Sequence, residues 1–141
     1  MEVHIVTPLG GRLSNTIEVY PFTEENVMRI PEEAQFGNYR IGLLKNDEFW
    51  VQYFGRSDHN DDGLRKRVSD HLTMGATTDH KNRLYDESYY FWFKVQSNEL
   101  EAFKQECRDW HTFKDLDEGN FVDNDIHPAR PNGRSCPICN E

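Results

Sequence analysis

The sequence predicts an α+β fold: a small, mainly antiparallel β-sheet flanked by helices, followed by an irregular C-terminal tail. Three observations carry this expectation. Tyr39–Leu44 and Phe49–Gly55 are strand-like runs joined by Lys45-Asn46-Asp47-Glu48, which has the composition of a hairpin turn. Two later segments show helical periodicity, with Leu64, Val68 and Leu72 on one face of the first and Leu100, Phe103, Cys107 and Trp110 on one face of the second. Between those helices, Tyr89–Val95 is so aromatic and β-branched that it reads as a buried strand.

The remaining elements follow in order. Val3 and Ile5 alternate as in a strand, Gly10-Gly11 reads as a turn, and Thr16–Tyr20 reads as a second strand ending at Pro21. Glu24–Met28 has room for one helical turn before Pro31. The first long helix is expected from Leu64 to Met74, with Gly75 at its end. Thr77–Asp86 reads as a polar loop. The second long helix starts at a Ser97 or Asn98 cap, with Asn98 and Glu101 at capping-box spacing, and runs to His111. The expected organisation is thus an N-terminal β extension over 1–37, a main domain over 38–112 and a tail over 113–141.

Composition narrows the function. Hydrophobic residues are 36% of the 141 and aromatics 13%, so the core is small and built on rings, a kind of core that benefits from a metal staple. No run is apolar enough to span a membrane and no signal-peptide layout opens the chain, so a soluble, cytoplasmic protein with no membrane partner is expected. The net charge of −9 counts against a general nucleic-acid binder, whose affinity comes from phosphate contacts. It leaves room for a local basic cleft, and Arg56, Arg65, Lys66 and Arg67 form the densest basic cluster.

The three cysteines are an odd number, which points to metal ligation or free thiols rather than a disulfide framework. Cys136-x-x-Cys139 has the spacing of a zinc knuckle. Cys107 and His111 lie one helical turn apart, about 40° around the axis, so both can reach one ion. Together they make a Cys3His site for a structural zinc that would staple the polar tail to the helix, with His127 as the rival fourth ligand.

A family resemblance rests on further motifs. Tyr53-Phe54-Gly55-Arg56-Ser57, followed by the helix Leu64–Leu72 bearing Arg67, resembles the second half of the GIY-YIG nuclease signature. Glu101-Ala102 placed ahead of Glu106 resembles that family's later helix. The first motif, Gly-Ile-Tyr, has its nearest match at Arg40-Ile41-Gly42, with glycine where the family has tyrosine. The resemblance spans about residues 38–112. It implies that Tyr53 handles the attacking water, Arg67 steadies the scissile phosphate, His71 sits where some members carry a histidine, and Glu106 holds a catalytic magnesium or manganese ion.

Phosphodiester hydrolysis needs such a set: a guanidinium and a metal to neutralise the phosphoryl oxygens, and a polarised water. The expected function is therefore a divalent-metal-dependent endonuclease of GIY-YIG type acting on DNA, with a structural zinc. The alternative is a catalytically degenerate zinc-binding domain of the same fold, which binds a nucleic-acid structure or a protein partner.

Overall fold

The computed structural model describes residues 1–6, 11–59, 61–74, 88–116, 127–131 and 135–139. The strands are β1 (Glu2–Val6), β2 (Arg12–Glu18), β3 (Tyr20–Pro21), β4 (Phe36–Lys45), β5 (Glu48–Ser57) and β6 (Tyr89–Gln96). The helices are α1 (Glu24–Val27), α2 (Leu64–Met74) and α3 (Glu99–Leu116). The strands form one sheet in the order β2-β1-β5-β4-β6-β3. The β1–β5 pairing is parallel and the other four pairings are antiparallel. This is an α+β architecture with a mixed sheet. No helix among the described residues is long and apolar enough to cross a membrane.

The central hairpin forms where the turn chemistry places it. Lys45 pairs with Glu48, and the two residues between them, Asn46 and Asp47, have φ of 52° and 59°. Asn and Asp tolerate this left-handed region better than other side chains, and a two-residue turn of this hand matches the twist of the strands.

The expected strand over 16–20 is divided in two. β2 ends at Glu18, the Val19 amide turns to the Met1 carbonyl, and Tyr20-Pro21 pairs instead with Phe91 and Tyr90 of β6. β2 and β3 therefore lie at opposite edges of the sheet with Val19 alone between them. Two peptide steps span no more than about 7 Å, so the sheet must curl until its edges nearly meet.

The sheet has a helix on each face. Tyr39, Ile41, Tyr53 and Phe91 pack with Leu64 and Val68 of α2 and with Phe22, Val27 and Ile30. On the other face Phe49, Val51 and Phe54 pack with Trp110 and Phe113 of α3 and with Val3 and Ile5. The N-terminal strands belong to this single sheet, and β4 already begins at Phe36, so residue 37 marks no structural border. Nor does residue 112: α3 continues to Leu116 and buries Phe113.

Polar contacts fix α3 on the sheet. Asn98 caps it by accepting the Glu101 amide at 2.9 Å. Asn38 of β4 donates to the Ala102 carbonyl at 2.9 Å. Arg40 grips Asp109 through two bonds of 3.1 and 2.6 Å, with its guanidinium 4.1 Å from the centre of the Trp92 ring. The Arg40 and Asp109 side chains are 9% and 5% exposed, so loss of either partner strands a buried charge. Asp109→Ala should cost about 3–5 kcal/mol in urea unfolding; a loss below about 1 kcal/mol would mean that the pair does not anchor the helix.

Candidate functional site

A β-bulge aims the first candidate residue. Phe49 and Val51 face α3, and strict alternation would send Tyr53 the same way. The register of β5 against β4 shifts, however: Gly42 opposes Val51 while Ile41 opposes Tyr53, leaving Gln52 as an extra residue. The bulge turns Tyr53 to the α2 face and hands the α3 face to Phe54.

Tyr53 there meets Arg67 from α2 and Glu106 from α3 in one open cleft of about 300 Å³. The rest of its wall is Gly55, Arg56, Asp58, Asp61 and, from the tail, Pro128 and Ala129. Of the four residues expected to converge, His71 stands one layer back. It is 3% exposed and hydrogen-bonded to the Tyr39 hydroxyl at 2.7 Å. The rings of Tyr39, Tyr53 and His71 form a triangle with centroid separations of 6.1, 5.1 and 5.0 Å.

The electrostatics of the cleft are divided. Burial, with the nearby Tyr53 hydroxyl adding to it, pushes the Tyr39 pKa well above the ordinary phenol value, so Tyr39 is protonated at neutral pH. The Tyr39 hydroxyl oxygen, followed by that of Tyr53 and by the Asp61 carboxylate, favours the charged form of Arg67 against a desolvation penalty. Burial raises the pKa of Glu106, and the Arg56 guanidinium opposes that rise. Arg56 donates to Glu106 Oε1 at 2.5 Å and to the Ala129 carbonyl at 2.8 Å. The Nε–H groups of Arg56 and Arg67 are both buried without a hydrogen-bond partner among the described residues. The guanidiniums of both residues line the cleft, and a forked donor of this kind suits an oxyanion ligand.

A larger cavity of about 650 Å³ lies between α1 and α2. Its cations are engaged elsewhere: Arg65 donates to the carbonyls of Ile30 and Met28, and Lys66 to Asp70. It gathers no comparable set of functional groups.

The second site lies at the far end of α3. The ligand atoms of His111, His127, Cys136 and Cys139 all lie within 4.8 Å of one another, so the four could hold one metal ion. Cys136 Sγ is 3.5 Å from His111 Nε2, and Cys139 Sγ is 3.8 Å from His127 Nε2. Three of the expected ligands are here, and His127 stands where Cys107 was expected. Cys107 lies beneath the cluster, fully buried with Phe103 against Cys136.

The two neighbouring thiols sit in different electrostatic surroundings. Apolar surroundings raise the pKa of the Cys107 thiol, and neighbouring Cys136 raises it further, which keeps it protonated. At Cys136 burial also opposes ionisation. The backbone amides of Cys139 and Ile138 and the side chains of His127 and Cys107 outweigh it, lowering that pKa to about 5. The ligand atoms that gather within 4.8 Å of one another are those of His111, His127, Cys136 and Cys139, and the Cys107 thiol is not among them.

Sequence reasoning assigned no role to Tyr39 or Arg56, and it ranked His127 second. The signal for Tyr39 was available as Gly37-Asn38-Tyr39, a Gly-x-Tyr run in the strand that pairs with Tyr53-Phe54-Gly55. A further group, Asp58, His59 and Glu99, could also hold a metal ion, although His59 Nδ1 and Glu99 Oε2 already pair at 2.8 Å. Comparisons with family models, curated proteins and solved structures find no match to this chain.

Gly55 is where the cleft is tightest. A Cβ there would lie 2.5 Å from the Tyr39 hydroxyl and 2.7 Å from its Cζ. Gly55→Ala should push Tyr39 off His71 and cost about 1–3 kcal/mol in urea unfolding; unchanged stability would show that the ring has room to retreat.

Proposed function

We propose that this chain is a metal-dependent endonuclease of GIY-YIG type that hydrolyses DNA, with a structural zinc at the His111, His127, Cys136 and Cys139 cluster. The observation that carries the reading is the meeting of Tyr53, Arg67 and Glu106, from β5, α2 and α3, in one cleft. The Gly37-Asn38-Tyr39 run supports it and displaces Arg40-Ile41-Gly42 as the counterpart of the family's first motif. It supplies the tyrosine that Gly42 lacks, against Tyr53 and beside Arg67.

In this reading Arg67, whose side chain lines the cleft, receives the scissile phosphate through its guanidinium. Tyr53 orients the attacking water. His71, through Tyr39, fixes the ring against which Tyr53 packs. Glu106 would hold magnesium or manganese, ions that keep several waters and take one or two carboxylates; Asp58 and Asp61 line the same cleft but do not gather with it into one ligand group. When bound, that ion supplies charge neutralisation at the phosphate and a more acidic water.

At the tail, two thiol and two imidazole ligands are a donor set for tetrahedral zinc. Four protein ligands leave no open position, so the zinc would be structural.

A second reading follows from one contact: Arg56 already occupies Glu106 Oε1. A domain in which that pair never opens would bind a nucleic-acid structure or a protein partner without cleaving it.

The two readings separate in a cleavage assay on supercoiled and branched DNA with magnesium or manganese. The nuclease reading expects cleavage, reduced at least about 100-fold by Arg67→Ala and by Glu106→Gln. Intact DNA under all these conditions, with binding retained, would favour the second. Metal analysis should find about one zinc per chain, lost in His127→Ala and Cys139→Ser and kept in Cys107→Ser. Loss in Cys107→Ser with retention in His127→Ala would restore the Cys3His set.

A further inference from the structure

The two sites share more than a helix. His127 presents Nε2 toward Cys139 Sγ, and its other ring nitrogen, Nδ1, is 2.9 Å from the carbonyl of Pro128. A metal on Nε2 leaves the proton on Nδ1, where it donates to that carbonyl. Occupancy of the cluster thus fixes the tautomer of His127 and the direction of the Pro128 peptide. Pro128 is buried, with its φ restricted by the ring, so little freedom remains before the next residue. That residue is Ala129, whose carbonyl accepts from Arg56 Nη2 at 2.8 Å. Arg56 in turn holds Glu106 through Nη1 and lies 5.2 Å from the centre of the Phe103 ring.

We infer that Arg56 is a positioning residue that links the C-terminal metal cluster to the cleft. The link runs from the cluster through His127, the Pro128 and Ala129 carbonyls and the Arg56 guanidinium to Glu106. Pro128 and Ala129 also form part of the cleft wall, so the cluster assembles one side of the cleft as well as orienting its carboxylate. A forked guanidinium suits this place because its two Nη groups bond different partners at once; the single ammonium of lysine cannot reproduce that fork.

This inference rests on the metal reading of the cluster and not on nuclease activity. Linkage is reciprocal: if the metal orders Arg56, then Arg56 must strengthen metal binding, although it is not a ligand. Simple electrostatics gives the opposite sign, because removing a nearby positive charge should favour a cation at the cluster.

The test is zinc affinity of the full chain, measured by competition with a chelating dye, with zinc as the only metal added. Arg56→Gln should weaken zinc binding about tenfold, and Arg56→Lys should change it in the same direction. Lys66→Gln, an exposed lysine paired with Asp70, should leave it unchanged. In a His127→Ala background Arg56→Gln should have almost no further effect, because the route through His127 is already cut.

Zinc bound by Arg56→Gln as tightly as by wild type, or more tightly, would overturn the inference. So would an equal loss in both backgrounds, the mark of general destabilisation. If Arg56→Gln does not fold, Arg56→Lys takes its place in the same pair of backgrounds, and the same two results overturn the inference. Wild-type protein that takes up no zinc would remove the cluster reading and this inference together. Uncleaved DNA would remove the nuclease reading alone.

Discussion

The buried pair between Arg40 and Asp109 is the contact on which the arrangement of this protein depends. Each charge is nearly inaccessible to solvent, and each is satisfied by the other through two hydrogen bonds. Gln105 adds a bond to Asp109, and Trp92 stacks against the guanidinium. Such a pair contributes little net stability beyond an apolar substitute, but it admits one register of helix on sheet. With Asn38 bound to Ala102, it sets both the rotation and the height of α3 over β4. Glu106 and the cluster ligand His111 then take their places from the same docking.

The cleft shows how small backbone irregularities allocate side chains to functions. One extra residue, Gln52, turns Tyr53 from the α3 face to the α2 face, where it joins Tyr39, His71 and Arg67. The absence of a side chain at Gly55 makes room for the Tyr39 hydroxyl. The resulting surface carries two guanidiniums and three carboxylates within a strongly acidic chain.

The described parts of the tail meet the rest of the chain at the cluster and at the cleft. The tail's composition is polar, and a segment of this kind gains little from apolar burial. The described parts of it contribute His127, Cys136 and Cys139 to the cluster and Pro128 and Ala129 to the cleft. Cys136 and Cys107 are buried in one apolar cluster, and the Ile138 amide donates to Cys136 Sγ at 3.4 Å.

By itself the sequence determined what is local. The hairpin turn at Asn46-Asp47, the strand Tyr89–Gln96, the span of α2 and the Asn98 cap of α3 all follow from short-range preferences that tertiary packing reinforced. It also marked Tyr53, Arg67 and Glu106 for a common site and paired His111 with Cys136 and Cys139. What only the tertiary structure decided are contacts across long stretches of chain. Val19 breaks a run that looks like one strand because the curled sheet has a place for each half at opposite edges. Spacing favoured Cys107 as a ligand, since one helical turn separates it from His111, but the folded chain gathers His127 with the other three and leaves the Cys107 thiol beneath them. Arg56 carried no signal beyond its charge, because its partners Glu106 and Ala129 lie 50 and 73 residues away. Spacing shows what can meet within one helix or hairpin; folding of the whole chain decides what does.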